Sequence, residues 1–88
     1  MTLRIDVTPF GPGVAFHLAG RVRAENLGEL ERDIAREGGS VVLDLHEVTL
    51  VDVDVVRFLK NAEGSGIELV NCPPFVREWI SRERDPDG

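Results

Sequence analysis

From Val41 to Val56 the chain reads Val-Val-Leu-Asp-Leu-His-Glu-Val-Thr-Leu-Val-Asp-Val-Asp-Val-Val, and no other stretch restricts the fold as much. Ser40 to Leu45 is apolar almost throughout, the pattern of a central strand covered on both faces. Beyond it, Val51, Val53 and Val55 alternate with two aspartates as a strand would, whereas Val55, Phe58, Leu59 and Ala62 are spaced as a helix. A helix starting near Asp52 accounts for both sets. Acidic residues in its first turn oppose the helix dipole, and a strand would leave Phe58 and Leu59 unexplained. A strand that leads through an acidic loop into a helix implies an α/β chain.

The flanking segments extend that order. Leu3, Ile5 and Val7 alternate with polar residues, and Val14, Phe16 and Leu18 alternate with Ala15, His17 and Ala19. The dense Gly/Pro segment from Pro9 to Gly13 joins the two as an antiparallel hairpin. Leu27, Leu30, Ile34 and Ala35 form one stripe of a helix over 24–37, stopped by Gly38-Gly39. No Ser, Thr or Asp stands at that helix's expected cap. Gly64-Ser65-Gly66 ends the next helix, and it lacks the Lys-Ser/Thr ending of a phosphate loop. Ile67 to Val70 is a short strand, and Pro73-Pro74 opens a third helix with Phe75, Val76, Trp79 and Ile80 turned to the sheet. The predicted order is β-β-α-β-α-β-α, a small layer structure with a mixed four-stranded sheet, an N-terminal antiparallel hairpin and helices packed on the sheet. Residues 1–80 form one domain; 81–88, ending Asp-Pro-Asp-Gly, read as a charged, disordered tail.

Composition narrows the function. The 88 residues can bury one modest core. Sixteen acidic residues against ten basic ones give a net charge of −6, with Lys60 the only lysine. That balance repels phosphates and argues against nucleic acid. No stretch approaches the apolar length of a membrane span, and the N-terminus has no apolar signal core, so a cytoplasmic location is expected. Cys72 is the only cysteine. A helix N-terminus can lower a thiol's pKa, but a small buried apolar role is the simpler reading.

Gly20-Arg21-Val22-Arg23-Ala24-Glu25-Asn26, Val41-Val42-Leu43-Asp44-Leu45, Val51-Asp52-Val53-Asp54 and Leu69-Val70-Asn71 occur in the order and spacing of a STAS domain, which the chain resembles from about Leu3 to Ile80. That family includes anti-sigma factor antagonists and the cytoplasmic domains of sulphate transporters. Asp52 matches the family's aspartate, Asp54 stands at its phosphorylated serine, and Val55 replaces its glycine. Arg23 stands where many members carry a capping aspartate. The second helix is shorter than usual and the last strand and helix are missing, so the resemblance is to a divergent, C-terminally truncated member.

The resemblance implies a non-enzymatic module that binds an anti-sigma-like kinase or other signalling protein in the bacterial cytoplasm, with no cofactor. Its partner-binding residues would be Glu47, Asp52, Val53, Asp54, Val55 and Arg57, and no residue would be phosphorylated at the switch position. An aspartate mimics phosphoserine only in part, since it carries one charge and fewer acceptor oxygens. The plainer role of Asp52 and Asp54 is to cap the helix and oppose its dipole, worth about 0.3–1 kcal/mol each. Two other readings stand beside this one. The chain is a structural homodimer or docking subunit paired through the Ile67–Val70 edge, or Glu47, Asp52 and Asp54, with Asp44 nearby, form an acidic metal or small-ligand site. His17 and His46 lack a nucleophile or second ligand that spacing places beside them, so no catalytic constellation is expected.

Overall fold

The hairpin closes in the fewest residues a hairpin allows. In the computed structural model, which describes residues 3–83, β1 (Arg4–Phe10) and β2 (Gly13–Val22) are joined by Gly11-Pro12 alone. Gly11 has φ 58°, the left-handed value that the first central residue of a type II′ turn requires and glycine supplies without a steric penalty. Pro9 and Phe10, expected in the loop, belong to β1. Gly13 is needed for a second reason: a Cβ there would run into the Ser40 backbone, whose carbonyl accepts Val14 N–H at 3.0 Å.

After β2 come a 3-10 turn at Ala24–Asn26, α1 (Leu27–Ala35), β3 (Val41–Val51), α2 (Val53–Gly64), β4 (Glu68–Val70) and α3 (Pro74–Arg82). The architecture is α/β in the predicted order, with the strands side by side as β1-β2-β3-β4. β1 is antiparallel to β2, and the other pairings are parallel. Two successive crossovers in one direction place their helices on one face of the sheet when both have the usual right hand. The core follows that rule. Phe16, Leu18, Leu43, Leu45, Val48 and Val51 of the sheet form one buried cluster with Leu30, Val55, Val56, Leu59, Val76 and Ile80 of the helices.

Further sequence expectations change. β3 is central and both Val41 and Val42, on its two faces, are buried, but helices cover only one face; the other carries Val42, Asp44 and His46, and Val42 lies outside the cluster shared with the helices. β3 also continues past Leu45 to Val51, through what was expected to be the acidic loop, so His46 sits within the strand. The extra length accommodates two register shifts. His17 pairs with Asp44 and Ala19 with Glu47, then Gly20 with Val48 and Arg21 with Leu50. In each interval β3 uses one residue more than β2. Those bulges let Leu45, Val48 and Val51, three apart, all face the core, which a regular strand of period two cannot do. The helical part of the chain runs through Arg82, and Glu83 is tied down by Lys60 Nζ donating to its carbonyl at 2.7 Å and Arg57 Nε donating to its carboxylate at 3.2 Å. The predicted tail is ordered that far; 84–88 lie outside the described residues. Phe75, expected on the sheet, is 45% exposed, while Trp79 packs at the edge of the core.

Candidate functional site

The start of α2 is built around Asp52. Its Oδ1 accepts Val55 N–H at 3.0 Å, capping α2, and its Oδ2 accepts Ala24 N–H at 2.8 Å. One carboxylate thus closes two helical N-termini. The second bond supplies the cap that the sequence near Ala24 lacks, from a residue distant in the chain. With both oxygens engaged in this way, Asp52 is part of the scaffold. Val55 is 1% exposed and belongs to the core, so of the six predicted partner-binding residues it has no surface to offer. Asp54 and Val53 are exposed in the first turn. Arg57 is exposed and paired with Glu83.

One apolar residue stands exposed beside Asp54: Val53, 38% exposed in the first turn of α2. Glu47 is placed differently. Its register with Ala19 puts it on the helix-free face of the sheet. The acidic residues proposed as one cluster are therefore divided. Asp52 caps helices, whereas Asp44 projects from the helix-free face. Among the described residues no group of His, Cys, Asp and Glu is placed to hold a metal ion.

That helix-free face carries the arrangement that sequence spacing missed. His17 on β2 lies between a hydroxyl and a carboxylate. Thr8 Oγ1 is 2.8 Å from its Nε2, and Asp44 Oδ2 is 3.0 Å from its Nδ1. Asp44 Oδ1 in turn accepts His46 N–H at 3.0 Å and the Asn71 side-chain amide at 3.2 Å. The chain Thr8–His17–Asp44–Asn71 crosses β1, β2 and β3 and ends just past β4. The carboxylate can only accept, so Nδ1 carries the proton and Nε2 accepts from Thr8 O–H when the ring is neutral. Asn71 reaches Asp44 from a left-handed backbone, φ 53°, which asparagine tolerates better than most side chains.

Asp44 feels opposing influences. Burial raises its pKa, but the His46 N–H, the Asn71 amide and His17 together outweigh burial and hold the carboxyl below its ordinary value. The order hydroxyl, imidazole, carboxylate is that of a nucleophilic relay. Here, however, the N–H groups of β2 lie in the plane of the sheet, committed to β1 and β3. They do not aim at a reacting atom above the face, as oxyanion stabilisation needs. What the chain does directly is tie the strands into one register.

The remaining candidates have structural roles. Cys72 is partly buried at the edge of the core, and burial pushes its thiol up despite the nearby Arg77, so it is not an activated thiolate. Arg77 forms a two-pronged pair with Glu63 at 3.0 and 3.1 Å, and that hydrogen bonding raises its pKa against the lowering effect of burial.

A two-residue turn at Gly11-Pro12, had it been read in place of the longer loop, would have pointed to Thr8 and His17. A two-residue hairpin sets Asp6 opposite His17 and Thr8 opposite Ala15, which makes Thr8 a diagonal neighbour of His17. The parallel register that brings Asp44 alongside has no comparable local signal.

Compared with known proteins, the chain matches no family model and no curated protein sequence. Among the described residues no helix is long and apolar enough to cross a membrane.

Proposed function

We propose that this protein is a non-enzymatic interaction module of STAS-like character, working in the bacterial cytoplasm, that docks a signalling protein through the surface at the start of α2. The observation that carries the reading is the exposure of Asp54 in the first turn, next to Val53, itself 38% exposed. Apolar side chains provide area that a partner can desolvate, and a carboxylate at the rim selects the partner by charge. Asp52 beneath them holds the surface in shape by capping both helical starts. Asp54 takes the place of a switchable serine, so binding is fixed rather than released by phosphorylation there.

The test is affinity capture from the native host's lysate with the wild-type chain and Asp54→Arg. Loss of a specific captured protein in the variant, with an unchanged melting curve, is the expected result. Equal capture by both chains would remove the α2 start as the docking surface. Incubation with an anti-sigma-type kinase and ATP should give no incorporation; labelling at Ser65 or Thr49 would overturn the fixed-switch reading.

A further inference from the structure

We infer that β1 is a self-association edge, and that two copies of this chain join antiparallel through it about a two-fold axis at Ile5. The inference is independent of docking at α2. The sheet has two edges, and they differ in how well they are finished. β4 has three residues and runs directly into Asn71, Cys72, Pro73 and Pro74; a short edge strand followed by prolines is poorly suited to further pairing. β1 has seven residues, and its proline stands near the turn.

The core is also incomplete there. Along one row of the helix-covered face, Leu69, Leu43, Phe16 and Val7 lie in register. Leu43 is 0% and Phe16 1% exposed, but Val7 is 50% exposed.

The backbone of β1 sets which residues can pair outward. A two-residue turn makes Phe10 and Gly13 the closing hydrogen-bonded pair, and such pairs alternate. Arg4, Asp6, Thr8 and Phe10 therefore direct their backbone groups to β2, while Leu3, Ile5, Val7 and Pro9 direct theirs to the open side. Pro9 lies where its missing N–H costs the hairpin nothing.

Side chains then choose the occupant. With Ile5 opposite Ile5 of the second copy, Leu3 stands opposite Val7, and Arg4 stands opposite Asp6. The outward-directed residues form the hydrogen-bonded pairs. Half-exposed Val7 is covered by Leu3 on the helix side. Arg4 and Asp6, now joined within one strand by an exposed 3.2 Å pair, meet opposite charges across the interface on the other face. Edge strands are usually protected by charge of one sign, which repels a second copy. Here the two signs sit symmetrically about Ile5, and the edge is complementary to itself.

Sedimentation velocity over the micromolar range tests the idea with charge variants that spare the core. Wild type should show a concentration-dependent dimer. Arg4→Asp alone or Asp6→Arg alone sets like charges opposite each other at both symmetric positions, and each should weaken the dimer about tenfold or more. Mixing the two variants restores opposite charges at every position and should recover dimer as a heterodimer. Circular dichroism should show both variants folded. A wild-type monomer throughout the range, a dimer that neither variant weakens, or a mixture that does not recover would each overturn the assignment.

Discussion

Leu43 and Asp44 are neighbours in β3, yet they belong to two different kinds of structure. Leu43 is completely buried among helices; Asp44 projects from the opposite face, held by hydrogen bonds to His17, His46 and Asn71. The helix-covered face is stabilised by area removed from water, which is non-directional and tolerates some repacking. The other face is held by directional bonds between partly exposed groups, each of which contributes less but fixes one register. Stability therefore resides mainly on one side of the sheet, and the specificity of strand alignment has a second source on the other.

The largest effect that would separate the two faces is Leu43→Ala. Deleting a fully buried leucine side chain should destabilise the protein by about 2–5 kcal/mol, measured as a lower urea midpoint. A loss below about 1 kcal/mol would mean the covered face is not the main source of stability. Asp52→Ala comes next. It removes the acceptor for two helical N–H groups and should cost about 1–3 kcal/mol, with early amide exchange at Ala24 and Val55. Faster exchange at only one of them would mean that the two caps are not coupled.

Asp44→Asn should cost less at neutral pH, about 1 kcal/mol, and its main signature is in acid. Because the folded carboxyl titrates below its unfolded counterpart, Asp44 stabilises fully above the unfolded value of about 3.9. That contribution is lost as pH falls through the lower folded value. Wild type should therefore lose its advantage over Asp44→Asn below about pH 4, as read from melting temperatures of both chains across the acid range. Parallel curves at all pH values would refute the network's role. Thr8→Val is the smallest change, about 0.5–1 kcal/mol, and should shift the His17 ring signals in NMR with little effect on Leu43 and its neighbours.

The regions differ as much in how they could be read from sequence. The alternation of Val14, Phe16 and Leu18, the stripe on α2 and the order of elements were all legible, because each rests on a period within a few residues. The first turn of α2, with Asp52 as its cap, was legible for the same reason. The second bond from Asp52 was not. It crosses from α2 to Ala24, and a missing local cap says only that a partner is needed, not which one. The unbroken apolar run correctly marked Val41, Val42 and Leu43 as buried, but it could not say that only one face meets helices. Asp44 in the middle of that run was the available sign of a second environment.

The sequence by itself determined the elements, their order and the polar alternation of β1 and β2, since periodicity, turn chemistry and dipole effects act over single turns and hairpins. Only the tertiary structure decided that one face of the sheet stays free of helices, that two bulges turn Leu45, Val48 and Val51 inward, and that Thr8, His17, Asp44 and Asn71 meet. Parallel register and crossover direction are settled by how distant segments pack together, and no local pattern of side chains encodes that choice.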